Sequence, residues 1–378
     1  VESSSVTLKK LAIIRQSYRP DGGAERIIQR IIEGLQYYHP LDVTLITQQW
    51  QGANADTQLL KVPHQGWTRT QRFNHFLRNT QQILSQHTFD WIQSHERVPG
   101  CQIYRAGDGV HAEWLRIRGE HLGFLGRWWQ AKDSFHQAVL NAEAELFAHP
   151  HLKAVICNSE QVRKEILKHY PKADANKLYL VRNGVDLQYF TPPTATEKQD
   201  ARKKLGLKKD QPTLAFVGSG FDRKGLPQLL QALSRAPHWT LLVVGQDKHI
   251  NNYKKVCMQW GIGHRVRFLG VLRDVRPIYQ AADVLVHPAW YDPAPNVILE
   301  AMAMGLPVIT TSTCGNSELI VAGENGFVID HLDTKSLLEV LKRRIDWSTL
   351  GFKARQSIEL HSIENMIHDL IAVYQRIL

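Results

Sequence analysis

Short apolar runs alternate along this chain with segments whose apolar residues recur three and four apart. Leu8–Arg15 (LKKLAIIR) has the density of a buried strand. Ala24–Leu35 carries Ile27, Ile28, Ile31, Ile32 and Leu35 at helical spacing. Strand, Gly22-Gly23 loop and helix in succession open a doubly wound α/β unit. Further strand-like runs follow at Val43–Thr47, Trp91–Gln93 and Ala154–Cys157, separated by helical stretches. The alternation resumes at Thr213–Val217, Thr240–Gly245, Val266–Leu269, Asp283–His287, Val308–Thr311 and Gly326–Ile329. A second parallel sheet with helices on both faces is therefore expected. Between the halves, Thr191–Pro212 (TPPTATEKQDARKKLGLKKDQP) is rich in proline, threonine and charge, as expected of a domain boundary. The last stretch, Ile358–Leu378, places Ile363, Met366, Ile367, Leu370, Ile371 and Tyr374 on one helical face.

Two glycine-containing turns follow strands of the second half. Gly218-Ser219-Gly220-Phe221-Asp222-Arg223-Lys224-Gly225 bares the backbone at Gly218 and brings two permanent cations to a helix start. Arginine grips phosphate oxygens bidentately and lysine supplies a point charge, so this loop suits a phosphorylated ligand. It is not a Walker loop, because G-x4-GK-[ST] is absent. Tyr291–Val308 (YDPAPNVILEAMAMGLPV) sets Asp292 and Glu300 around a strand-to-helix turn. Helix starts favour anions, and acidic side chains there accept from amides or sugar hydroxyls. In a parallel sheet, turns that follow strands share one edge, where ligands bind. In the first half, Tyr104–His111 (YRAGDGVH) concentrates Asp108 and His111 in a glycine-rich turn of the kind that holds functional side chains.

Composition narrows the partners. A net charge of +10 implies an acidic one: a phosphorylated substrate, an anionic lipid surface or nucleic acid. Cys101, Cys157, Cys257 and Cys314 are scattered without metal-binding spacing, which suits buried thiols in a reducing compartment. No run approaches the roughly 18 apolar residues of a membrane span. The opening VESSSVTLKK has no apolar signal region, so a cytoplasmic location is expected, peripheral on the inner face of the membrane. The segment 113–132 (EWLRIRGEHLGFLGRWWQAK) interleaves Trp114, Phe124, Trp128 and Trp129 with Arg116, Arg118, Arg127 and Lys132. Such a mixture suits a surface that dips into an anionic bilayer. It equally suits helices that pack on the core while their arginines reach solvent. Gly119, Gly123 and Gly126 argue against one continuous helix. No nucleic-acid motif accompanies the segment, and nucleic acid is not expected as a partner.

The run PNVILEAMAMGLPVITT, the Asp292–Glu300 spacing and GSGFDRKG resemble the retaining GT-B glycosyltransferases of family 4, in which the usual spacing is E-x7-E. VVGQDK, HPAWYDPAPNVILEA and the basic-aromatic insert resemble the lipopolysaccharide core glucosyltransferases within that family. The resemblance implies two Rossmann-like domains facing a central cleft. Residues 1–190 would form the acceptor side, 206–355 the donor side, and 356–378 a helix returning to the first domain. It further implies a UDP-sugar donor, glucose favoured, transferred with retention to lipopolysaccharide core or a similar phosphorylated, lipid-linked glycan. Gly22, Gly23, Gly218, Arg223 and Lys224 would hold the donor diphosphate, and Asp292, Asn296 and Val297 the donor sugar. Glu300 would take the ribose and Leu272 the base. Asp108 and His111 would face the acceptor, with Asp108 and Asp292 serving catalysis.

This chain departs from the family at Asp292, one methylene shorter than glutamate, which moves the carboxylate by about 1.5 Å. No two aspartates are separated by a single residue, so the Asp-x-Asp metal site of other transferases is absent. No cofactor and no metal are expected; Arg223, Lys224 and helix starts would stabilise the leaving diphosphate. Two alternatives share the diphosphate loop: a non-catalytic sugar-nucleotide-binding protein, and a GT-B-type UDP-sugar epimerase that uses acids and a histidine to move a proton.

Overall fold

The computed structural model describes residues 9–18, 31–34, 41–50, 58–330 and 333–377. The chain divides into two compact units, Val1–Arg182 with Glu364–Leu378, and Asn183–Ile363.

The first unit begins with β1 (Lys9–Ile14), β2 (Ser17–Tyr18), β3 (Leu41–Thr47), β4 (Gln49–Trp50) and β5 (Gln58–Lys61). Helix α1 (Arg69–Gln86) precedes β6 (Trp91–Ser94) and β7 (Ile103–Arg105). Three helices follow: α2 (His111–Glu120), α3 (Phe124–Lys132) and α4 (Ser134–Ala148). Then come β8 (Ala154–Cys157), α5 (Glu160–His169) and β9 (Leu178–Leu180). Seven strands pair in parallel in the order β5-β3-β1-β6-β7-β8-β9. The apolar half of β1 is buried completely because both of its neighbours, β3 and β6, are themselves covered.

The second unit contains α6 (Ala195–Lys204), β10 (Thr213–Val217), α7 (Leu226–Ser234), β11 (Thr240–Val244) and α8 (Ile250–Gln259). It continues through β12 (Val266–Gly270), α9 (Arg276–Ala281), β13 (Val284–His287), α10 (Asn296–Ala303) and β14 (Val308–Thr311). It ends with β15 (Gly326–Ile329), α11 (Thr334–Lys342) and α12 (Trp347–Ser357). Its six parallel strands run β12-β11-β10-β13-β14-β15. Strands β10, β11, β13 and β14 are buried at every position, as expected of predominantly apolar strands with helices on both faces. One cluster packs under α9 and α10, the other under α7, where the Trp239 indole donates to the Leu341 carbonyl at 2.8 Å.

Two boundaries differ from the sequence reading. The charged stretch after Thr191 is not a linker between units. Thr194 caps α6, accepting from the Glu197 amide while the Glu197 carboxylate accepts from the Thr194 amide. The units instead part at Arg182/Asn183. The closing pattern also splits: α13 spans only Ile363–Ile377, and Ser362 pairs with Val185 just before it. Helix α13 counts with the first unit, where the Tyr374 hydroxyl donates to the Gln93 side chain and Leu370 is fully buried.

Leu370→Ala should therefore destabilise the first unit by about 2–5 kcal/mol, the usual cost of a cavity at a leucine site. Denaturant melts of the whole chain would register it as an earlier first transition, with the second unit's transition unmoved.

Candidate functional site

In the second unit β10 and β13 are paired neighbours, so the turns that leave their carboxyl ends lie side by side. The first is Gly218–Gly225. Gly225 sits at φ +78°, and a Cβ there would meet the Pro288 carbonyl oxygen at 1.9 Å. No other residue fits, because the turn after β10 is pressed against the turn after β13. Phe221 is buried as an anchor, with its amide donating to Asp247 at 2.8 Å. Arg223 then spans the two turns: its guanidinium donates to the Tyr291 carbonyl at 3.1 Å, and its own carbonyl accepts from the Trp290 amide.

Lys224 is paired with Asp292. The same carboxylate oxygen accepts from His287 Nε2 at 3.0 Å, so lysine, aspartate and histidine form one buried constellation. Asp292 is also held by its backbone, which donates to Thr313 and accepts from Gly315 at 2.8 Å. Burial alone would raise its pKa. Lys224, His287 and Arg223 outweigh that and hold the carboxyl far below the usual aspartate range. Burial and the neighbouring Lys224 charge push His287 down, so the imidazole is neutral and its Nε2 carries the proton that Asp292 receives. Its Nδ1 is buried with no hydrogen-bond partner among the described residues.

Glu300, on α10, is buried and accepts from the Tyr279 hydroxyl at 3.0 Å. Asn296 opens α10, its side-chain oxygen held by Asn183 at 2.9 Å, with Val297 half-buried beside it. Neither α7 nor α10 has a side-chain hydrogen bond at its N-cap. Two helix starts, Arg223 and Lys224 thus meet on one sheet edge, an arrangement that favours an anion. Leu272 lies beyond β12, partly buried against the core cluster under α9 and α10.

In the first unit Asp108 is ion-paired with Arg15 at 3.1 Å, and Arg15 also approaches Glu96 at 3.4 Å. His111 starts α2; its amide donates to Glu143, which is bound by Arg97 at 2.6 Å and by the Tyr170 hydroxyl at 2.5 Å. The His111 ring contacts His136 at 3.1 Å, and Arg118 contacts the far nitrogen of His136 at 3.1 Å. Arginine can only donate, so His136 Nε2 accepts and its Nδ1 donates onward to His111. Burial and the Arg97 charge lower His111 to about 4, which keeps this relay neutral at ordinary pH.

The basic-aromatic segment folds as a hairpin of α2 and α3, broken at His121–Gly123. Its arginines are engaged with groups of the same unit. Arg116 pairs with Glu113 and Glu120, Arg118 turns to His136, and Arg127 donates to the Gly119 and Leu122 carbonyls. Trp114 is half-buried, whereas Phe124, Trp128, Trp129 and Lys132 are exposed, with the Lys132 amine 4.0 Å above the Trp128 ring. No helix among the described residues is long and apolar enough to cross a membrane.

Gly22 and Gly23 lie outside the described residues. Motif reading did not find His287, Tyr279, Arg15, Glu96 or His136. Only His287 had a usable signal, as the last residue of an apolar strand five positions before Asp292.

The family model for glycosyl transferases group 1 matches residues 197–354, and that for glycosyltransferase family 4 matches residues 21–189. The chain is 28% identical over 379 residues to the lipopolysaccharide glucosyltransferase WaaG of Escherichia coli K12, an alignment covering 96% of this chain and 98% of the relative. It is 34% identical over 142 residues to the lipopolysaccharide core biosynthesis glycosyltransferase LpsE of Rhizobium meliloti, covering 38% of this chain and 42% of that one. The crystal structure of WaaG superposes with a TM-score of 0.83 at 26% identity, covering 96% of this chain and 99% of the other. Anabaena HepE, solved with UDP and glucose, shares the fold with a TM-score of 0.76 at 18% identity, covering 97% and 100%.

Asp292→Asn should destabilise the protein by about 3–5 kcal/mol near pH 7, because it strands a mostly buried Lys224 charge. The sign with pH follows from a depressed aspartate. Its stabilisation is present above the unfolded pKa and fades only as pH falls through the lower folded value. The stability gap between wild type and variant should therefore persist down to pH 4 and close only in stronger acid. Gly225→Ala should lower the melting temperature and abolish binding of nucleoside diphosphate together, as read by calorimetry.

Proposed function

The chain belongs to the GT-B glycosyltransferases of family 4, and on that premise we propose that it transfers glucose from UDP-glucose to a lipopolysaccharide core. The observation that carries this reading is the Arg223–Lys224 turn locked against the Asp292 turn, in a chain related to WaaG along nearly its whole length. Arg223, Lys224 and Gly218 hold the donor diphosphate. Glu300 binds the ribose and Leu272 the base.

Diphosphate oxygens compete with Asp292 for Lys224. Donor binding then frees the carboxylate to accept from a hydroxyl of the sugar, beside Asn296 and the Val297 amide. Departure of UDP leaves negative charge at the diphosphate, which Lys224, Arg223 and the two helix starts stabilise without a metal ion. The acceptor hydroxyl attacks from the face the diphosphate leaves, so configuration is retained and no side-chain nucleophile is required. Asp108 and His111 orient the acceptor, His111 as the neutral end of the relay from Arg118. The acceptor is phosphorylated and lipid-linked, in keeping with the net charge of +10. Exposed Phe124, Trp128 and Trp129 dip into the anionic inner face of the cytoplasmic membrane, where that acceptor resides.

Incubation with a panel of UDP-sugars in EDTA, with and without extracted lipopolysaccharide core, tests the donor, the acceptor and the metal together. UDP release from UDP-glucose, enhanced by core, is the expected result; release only after Mg2+ or Mn2+ is restored would overturn metal independence. Lys224→Ala should lower turnover about 100-fold or more, the scale of losing one charge-stabilising group. Trp128→Ser/Trp129→Ser should weaken sedimentation with anionic vesicles, and unchanged sedimentation would sink the membrane reading.

A further inference from the structure

The turn before α1 presents an indole that the fold does not use. Gly66, at φ +106°, admits a bend that a Cβ would block at 2.8 Å from the Arg72 amide nitrogen. The backbone beyond it is pinned by a capping box. Thr68 accepts from the Gln71 amide at 3.1 Å, and Gln71 Oε1 accepts from the Trp67 and Thr68 amides at 2.9 and 3.2 Å. An apolar residue preceding an N-cap ordinarily packs on the fourth helical residue. That residue here is Arg72, and Trp67 is 95% exposed on a rigid backbone.

This turn adjoins the aromatic hairpin. The Thr70 and Ser134 hydroxyls are 2.9 Å apart, and the Arg69 guanidinium lies 4.1 Å above the Phe135 ring. Ser134 and Phe135 begin α4 immediately after Lys132 and Asp133, where α3 ends. The charge pattern is as one-sided as the apolar one. No acidic residue occurs between Asp56 and Asp90, a stretch that carries Lys61, Arg69, Arg72 and Arg78. Neither Arg69 nor Arg72 is ion-paired with a carboxylate among the described residues, whereas Arg116 is neutralised by two glutamates. The hairpin therefore supplies apolar surface edged by exposed Arg127 and Lys132, and the α1 turn adds exposed Arg69, half-buried Arg72 and one further indole.

We propose that the Trp67–Arg72 turn is a second contact with an anionic bilayer, with Trp67 in the headgroup–acyl boundary and Arg69 and Arg72 on lipid phosphates. This rests on the membrane reading of the α2–α3 hairpin given above. A bilayer is favoured over a nucleic acid because exposed Leu125, 70% accessible beside Phe124, gains nothing from base stacking but gains from acyl chains. Two anchors on one unit fix its orientation at the surface, where a single helix leaves it free to rotate.

All four native cysteines are buried, so Trp67→Cys can be labelled selectively with an NBD dye in the full chain. Vesicles of phosphatidylcholine with about 30% phosphatidylglycerol should shift that emission to the blue, whereas dye at Met258→Cys in the other unit should not respond. Unlabelled Trp67→Ser should lower the vesicle partition coefficient roughly tenfold at an unchanged melting temperature, and Arg69→Gln/Arg72→Gln should lower it similarly. The Arg69/Arg72 loss should vanish on pure phosphatidylcholine. If Trp128→Ser/Trp129→Ser loses binding while Trp67→Ser binds as wild type and dye at position 67 stays in water, the second contact is refuted alone. If neither pair of substitutions alters binding, the membrane reading falls and takes this proposal with it. Protection of the dye by single-stranded RNA and not by vesicles would overturn it in favour of a nucleic-acid surface.

Discussion

The second unit depends on the parallel pairing of β10 with β13. Because those strands are neighbours, their exit turns are forced together, and only glycine at position 225 allows the contact with Pro288. The functional side chains are consequences of that contact. Arg223 bridges the turns through main-chain groups, and Lys224 is paired with Asp292. A buried lysine–aspartate pair is not there for stability, since apolar residues would serve as well. In the function proposed above, it holds a cation and an anion in register for a ligand with phosphate and hydroxyl groups.

The shorter acid at position 292 fits this view. An aspartate cannot reach as far as a glutamate, yet here its carboxylate is positioned from three sides: by Lys224, by His287 Nε2 and by the backbone bonds to Thr313 and Gly315. His287 belongs to the strand itself and is fully buried, so it fixes the carboxylate more rigidly than a loop residue would. Its neutral state follows from its surroundings, since a second buried cation beside Lys224 would be unfavourable.

The first unit uses a different economy of charge. Arg97 and Glu143 form a buried pair that holds the amide of His111, and Arg118 fixes the tautomers of two histidines in series. Arginines that the sequence suggested for a lipid surface are thus partly committed to internal structure. What remains exposed on the hairpin combines Phe124, Leu125, Trp128 and Trp129 with Arg116, Arg127 and Lys132.

How much of this was legible in the sequence follows from the range of each interaction. Strand runs, helical spacing, the Gly218–Gly225 loop and the Asp292–Glu300 turn are local patterns, and backbone geometry alone makes them readable. Placing both turns on one sheet edge needed only the rule that parallel strands share direction. By contrast, the partners of those residues come from far along the chain. Tyr279 reaches Glu300, Asn183 holds Asn296, and Arg15 meets Asp108 across 93 positions. No periodicity encodes such pairs, because strand order decides them. The charged stretch after Thr191 misled for the same reason: composition resembled a linker, while a capping box and contacts with the second unit made it a helix. The sequence by itself determined the elements and the chemical character of each turn. Only the tertiary structure decided which charges face one another, since that depends on which strands lie side by side.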